Sequence, residues 1–214
     1  MSVIKKARGK QIRALTSGNG EEILDLEIFS GVKPLDKKFK SKSLPGKAPG
    51  VRRMRESEYS QLMKSKQIVR FYYGLKEGQF KSLYDASAKS KGSTGDNLLQ
   101  SLELRLDNIV YRAGFASTRA QARQVVSHGH ITVNGKRLNI PSYRCKIGDV
   151  VEISEKRKKM ELIQLSIELA KQKESQTWID VDYEKLSVTV SEAPALEQLH
   201  EMFKISHVIE LYSK

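Results

Sequence analysis

Arg119 and Arg123 stand four residues apart, opening at Thr118-Arg-Ala-Gln121, a capping-box pattern that starts a helix. At that spacing two guanidinium groups share one helix face, expected to point outward. They sit where backbone N–H groups point outward, and a guanidinium fork holds phosphate oxygens bidentately. A few residues on, Asn134-Gly135 fits a type I′ turn, closing a hairpin that carries Lys136, Arg137 and Asn139. This is the chemistry of backbone read-out. It suits double-stranded or junction RNA, whose deep groove hides its base edges.

The other candidate chemistries are weak. His128-Gly-His130 is a pair without a third ligand nearby, so a turn or a phosphate-facing role outweighs a metal site. Asp180 and Asp182 share one face of a strand, where solvated or salt-bridged carboxylates are the simpler reading. The single Cys145 cannot make an internal disulfide; Arg144 and Lys146 flank it, but a small residue at a strand edge accounts for it as well. There is no Gly-rich phosphate loop, metal-ligand cluster or nucleophile elbow. An enzyme, a metal and a cofactor are therefore not expected.

Charge points the same way as the arginine pair. The 214 residues carry 38 Lys+Arg and 25 Asp+Glu, a formal net charge of +13. Residues 1–100 hold 21 basic against 10 acidic residues (+11), residues 101–165 hold 12 against 6 (+6), and residues 166–214 hold 5 against 9 (−4). The first three-quarters call for a polyanion, the last quarter for something else. No apolar run approaches the ~18 residues of a membrane span, and the basic N-terminus lacks a signal core, so the expected location is cytoplasmic, away from membranes.

The elements that must position these residues are legible from periodicity and punctuation. Residues 1–55 read as a basic irregular arm; residues 31–55 alone hold three of the five prolines and nine Lys/Arg. Ser57 caps a helix through about Tyr73, with Tyr59, Leu62, Met63, Ile68 and Val69 inward and Lys64, Lys66 and Arg70 pointing elsewhere. A second helix covers about 76–90. After Ser93, the stripe Leu99, Leu102, Leu106, Ile109 and Ala113 predicts one continuous helix to Gly114. The period then changes to 2 in the hairpin around Asn134-Gly135 and again in Val150-Val-Glu-Ile153. A helix at about 157–173 and strands at 177–182 and 186–190 follow. A short helix at about 195–203 precedes an apolar end, Val208-Ile-Glu-Leu-Tyr212, expected as a strand or end segment folded back on the N-terminal helices.

At three stretches the chain resembles a known family. Leu104-Arg-Leu-Asp-Asn-Ile-Val-Tyr-Arg-Ala-Gly-Phe, Ser117-Thr-Arg-Ala-Gln-Ala-Arg-Gln-Val-Val-Ser-His and Ile131-Thr-Val-Asn-Gly-Lys are similar to ribosomal protein four of the bacterial small subunit, and to the small RNA-binding module named after it. Ser30-Gly-Val-Lys-Pro, Lys91-Gly-Ser-Thr-Gly-Asp-Asn-Leu-Leu, Thr177-Trp-Ile-Asp-Val-Asp and Glu210-Leu-Tyr-Ser-Lys extend the resemblance beyond that module. The resemblance implies a structural constituent of the small subunit that binds a multi-helix junction of ribosomal RNA early in assembly. It also implies a place beside ribosomal proteins three and five, where messenger RNA enters, and an influence on decoding accuracy. Arg52, Arg53 and Arg55 occupy the positions that face incoming messenger in the family. Both ends diverge, and no cysteine lies in the first 40 residues, where zinc-binding members have several. A second, divergent copy acting as an RNA-binding translational regulator or stress-associated factor is the alternative.

The expected fold is α+β. A helical domain at 56–94 is completed by residues 190–214, and an RNA-binding domain at 95–189 has a core module at 98–155 of two helices and a small antiparallel sheet. The expected ribosomal-RNA-binding set is Arg105, Arg112, Thr118, Arg119, Gln121, Arg123, Gln124, His128, His130, Asn134, Lys136 and Arg137, with Lys5, Lys6, Arg8, Lys10 and Arg13 adding contacts from the arm. Met202, Phe203 and Ile205 replace polar family positions and form either an apolar patch for a protein partner or core filling between tail and helices.

Overall fold

The computed structural model describes residues 57–158, 160–170 and 177–213, and divides them into two compact units, residues 57–80 with 200–213 and residues 81–199. Among the described residues no helix is long and apolar enough to cross a membrane.

In the first unit, α1 (Glu58–Tyr72) starts at Ser57, whose hydroxyl accepts from the Ser60 amide at 3.3 Å. α2 (Glu77–Lys89), of which residues 77–80 belong to this unit, begins after Gly74, which takes φ 69° to end the first helix and turn the chain. Leu62, Val69, Tyr72 and Tyr73 are buried. The C-terminal residues pack on α1 as a helix, α8 (Ile205–Ser213), and not as a strand. An apolar run of five residues is ambiguous between the two states, and here Val208 repeats Ile205 at a helical spacing of three.

Two expectations for α1 are corrected here. Tyr59, expected inward, is 62% exposed, standing in the first turn ahead of the buried positions that begin at Leu62. Lys66 does not point away: it is buried, and its Nζ donates to Glu77 Oε1 at 2.6 Å. Burial alone would raise the Glu77 carboxyl. Hydrogen bonds from Lys66 and Tyr212, with the charges of Lys66 and Arg70, outweigh that and hold it below its ordinary 4.5. Of the two readings of Met202, Phe203 and Ile205, patch or core, the structure takes core filling. Phe203 is 2% exposed and meets the Tyr72 ring edge-on at 4.8 Å, Ile205 is also buried, and Met202 is half-buried.

The second unit carries the candidate site. The stripe from Ser93 to Gly114 is two helices, α3 (Thr94–Glu103) and α4 (Leu106–Arg112). Between them Arg105 is extended (φ −68°, ψ 138°) and bridges Arg144; Leu106 N donates to Tyr143 O at 2.8 Å and Cys145 N to Leu104 O at 2.9 Å. The break is thus paid for in backbone hydrogen bonds to residues 141–145. Gly114 takes φ 78° beyond α4, and a Cβ there would collide with the Ala170 Cβ.

α5 (Arg119–Ser127) begins at Thr118, whose hydroxyl accepts from the Gln121 amide at 3.2 Å, and the Gln121 side chain reaches back to the Ser117 amide at 3.1 Å. Asn134 (φ 50°) and Gly135 (φ 76°) close the hairpin of β1 (Ile131–Val133) and β2 (Lys136–Leu138). β3 (Val150–Ile153), β4 (Ile179–Asp182) and β5 (Ser187–Val190) join them in one antiparallel sheet of order β2-β1-β3-β5-β4. A 3₁₀ turn at Glu155–Arg157 leads to α6 (Glu161–Ala170), and α7 (Glu197–Phe203) follows the sheet. Ile109, Phe115 and Val126 from the helices meet Ile131, Val151 and Val188 from the sheet in one core, with Ile163 of α6 and Trp178.

Phe203→Asp should abolish cooperative unfolding of the first unit, a loss of about 3–5 kcal/mol from cavity and buried charge together. Met202→Asp, at a half-buried position, should cost much less. Hydrogen exchange of the α1 amides in each variant measures the difference.

Candidate nucleic-acid interface

The arginines expected to face outward are held in place by two carboxylates. Glu103, the last residue of α3, is 1% exposed. It receives Arg112 bidentately, Nη2 to Oε1 at 2.9 Å and Nε to Oε2 at 3.1 Å, and Asn108 Nδ2 at 2.7 Å. Asn108 Oδ1 in turn accepts from Arg119 Nε at 3.1 Å, and the Arg119 guanidinium lies 4.3 Å over the Tyr111 ring.

Asp107 makes the second cluster. Its side chain is 7% exposed and binds Arg105 bidentately, each N···O distance 3.1 Å. From α5, Arg123 donates Nε and Nη2 to Asp107 Oδ2 at 3.1 and 2.7 Å. Arg105 is buried, whereas Arg123 keeps 35% of its side chain exposed. Arg119 and Arg123 therefore share a face, as their spacing predicts, but α5 turns that face towards α4. Three guanidinium groups bind the two carboxylates directly and the fourth, Arg119, reaches Glu103 through Asn108, an excess of two positive charges along one edge of the α4–α5 pair.

Other expected residues also hold the scaffold. Thr118 and Gln121 cap α5, and Gln121 Nε2 donates to Ser166 Oγ at 3.3 Å. Arg137 donates from Nε to Gly129 O at 2.8 Å and from Nη2 to His128 O at 3.3 Å, closing the C-terminal end of α5. Asn134 ties the hairpin to β3: Nδ2 donates to Asp149 Oδ1 and Oδ1 accepts from Val150 N, both at 2.9 Å. Gln124, His128 and Lys136 are exposed. Lys5, Lys6, Arg8, Lys10, Arg13, Arg52, Arg53 and Arg55 lie outside the described residues.

The histidines lie edge to face, ring centroids 5.7 Å apart. Burial holds the His130 imidazole below its ordinary 6.5, and the charges of Arg157, His128 and Arg137 act in the same sense. Cys145 is no activated nucleophile. Burial first, then Asp149, pushes its thiol up to about 12, overriding its basic neighbours in sequence.

Glu103, Asp107 and Asn108 are absent from the expected site set. Their signal was present: two acids at i, i+4 bordering an apolar stripe, in a stretch otherwise rich in arginine.

Glu103→Ala removes the buried carboxylate shared by Arg112 and Asn108, while Asn108 Nδ2 keeps the Glu103 backbone carbonyl at 3.0 Å, and should cost about 3–5 kcal/mol in urea denaturation. The His130 shift sets a pH dependence. The unfolded chain takes up this proton near pH 6.5 while folded His130 stays neutral to lower pH, so the stability present above 6.5 declines as the pH falls below it. Melting temperature should be lower at about pH 5.5 than at about pH 7.5, and His130→Gln should narrow that difference.

Two family models match the chain: the S4 domain at residues 104–151, which spans this ion-pair cluster and the hairpin, and the ribosomal protein S4/S9 N-terminal domain at residues 20–103. Small ribosomal subunit protein uS4 of Pseudomonas aeruginosa (strain PAO1) is 47% identical over 190 residues, covering 89% of this chain and 92% of that protein. Its counterpart in Coxiella burnetii (strain RSA 493) is 45% identical over 193 residues, covering 90% and 93%. That of Acinetobacter baylyi is 48% identical over 190 residues, covering 89% and 92%. With both domains matched and the identity running nearly end to end, the chain belongs to the small ribosomal subunit protein uS4 family.

Proposed function

We propose that this protein is a structural, non-catalytic constituent of the small ribosomal subunit, and that its second unit docks on ribosomal RNA through the α4–α5 arginine edge and the adjoining hairpin. The observation that carries the reading is the near full-length identity to uS4 proteins, 89% of the chain in one alignment, where the RNA-binding module by itself would fit many classes of protein. The geometry agrees with it. Arg112, Arg119 and Arg123 are fixed in orientation, and His128 and Lys136 extend the basic surface, an arrangement suited to a phosphate backbone of defined shape.

The finer reading follows the family. The RNA target is a multi-helix junction of small-subunit ribosomal RNA, bound early in assembly. Ribosomal proteins three and five are the neighbours, Arg52, Arg53 and Arg55 face the channel through which messenger RNA enters, and decoding accuracy depends on that placement. The site of action is the cytoplasmic ribosome.

Sucrose-gradient fractionation of cells, with immunodetection, tests residence: the protein should co-sediment with small subunits. Exclusion from them despite intact RNA affinity would identify a regulator that kept the fold. With purified protein, affinity for a junction RNA should fall steeply with salt, each phosphate contact adding about 0.9 to the log–log slope. Arg123→Gln should reduce that slope by about 1. A flat salt dependence would remove the electrostatic basis of the reading.

A further inference from the structure

We infer that Asp107, an acidic residue inside a cationic interface, is a positioning residue for RNA recognition, aiming Arg123 at the phosphate backbone. The inference rests on the proposed RNA docking and adds a residue whose own charge opposes the ligand.

Three observations carry it. Asp107 is nearly covered, so it is not part of a solvated charge pattern. Arg105 already binds it bidentately, which satisfies its charge without help from α5. Arg123 nonetheless adds two donors to Asp107 Oδ2 from one turn inside α5, while a third of its side chain remains at the surface. A guanidinium pinned along its Nε–Nη2 edge has lost most of the torsional freedom of a surface arginine before any ligand arrives. Binding then avoids the ordering cost, worth about two- to tenfold in affinity for each such side chain. Arg105, being buried, is the anchor that fixes the carboxylate itself.

The sign of the effect separates this from simple charge neutralisation. Asp107→Asn raises the net charge from +13, which by counterion release alone would tighten binding to any RNA. A positioning role predicts the opposite for RNA of defined shape and no loss for a flexible strand that adapts to mobile arginines.

The test measures dissociation constants of the full-length chain at one salt concentration, for a small-subunit ribosomal RNA fragment containing a multi-helix junction and for poly(U) of equal length. Wild type should prefer the junction; if it does not, the proposed function fails and this inference with it. Given that preference, Asp107→Asn should bind the junction about tenfold more weakly and poly(U) as tightly or tighter. In an Arg123→Gln background the Asp107→Asn loss should disappear, because the side chain being aimed is gone. Should Asp107→Asn not fold, Asp107→Glu keeps the charge, shifts the reach of the carboxylate, and should lose junction preference at unchanged melting temperature. Junction binding that stays equal or tightens in the variant that folds, or an equal loss with and without Arg123, overturns the inference.

Discussion

The arginine edge of the second unit depends on two carboxylates placed inside a surface that carries a surplus of positive charge. Guanidinium groups packed along one edge repel one another, and covering any of them is costly unless a carboxylate is close. Glu103 and Asp107 solve both problems at once. Each binds one largely covered arginine bidentately, Arg112 or Arg105, and each reaches α5 as well, Asp107 through Arg123 and Glu103 through Asn108 to Arg119. The α4–α5 pair is therefore joined by charge as well as by apolar contact, and the arginines along its edge are structural parts of it.

This arrangement requires the break after Glu103. In a continuous helix Glu103 and Asp107 would sit one turn apart on one face, with Arg105 turned well away from both. The extended Arg105 instead ends α3 at Glu103 and restarts the chain at Leu106, so that Arg105 folds onto Asp107 two residues ahead. Residues 141–145 supply the backbone partners that a break must find: Pro141 O accepts from the Asp107 amide at 3.2 Å, and Tyr143 O from that of Leu106 at 2.8 Å. The connection between β2 and β3, unremarkable by composition, thereby becomes the element that sets the geometry of the arginine edge.

What could be read from the sequence divides along the same line. Local chemistry was legible: the Ser57, Ser93 and Thr118 caps, the positive-φ Asn134-Gly135 turn and the Gly114 stop each depend on a few adjacent residues. The break at Arg105 was not, because no proline or glycine marks it and the apolar residues keep helical spacing across it; its partners lie about forty residues away in sequence. Phe203 could be patch or core until Tyr72 and Tyr73 were seen around it, and Lys66 looked solvated until Glu77 was found within reach. The spacing of the arginine pair gives the helix and the shared face but not its direction: the expected outward face is turned towards α4 by Asp107 and Asn108, which the sequence presents only as parts of a motif.

The two units use a buried cation differently. Lys66 in the first unit is as deeply buried as Arg105 in the second, and each has its carboxylate. Lys66, a point charge, ends at Glu77 alongside Tyr212, and that pairing serves packing. A guanidinium has two usable edges, so a carboxylate can hold one edge while the side chain still reaches the surface, as Arg123 does at 35% exposure. Only the second arrangement converts charge into orientation. A polyanion of fixed shape is distinguished from one without it through orientation, and charge alone would bind both.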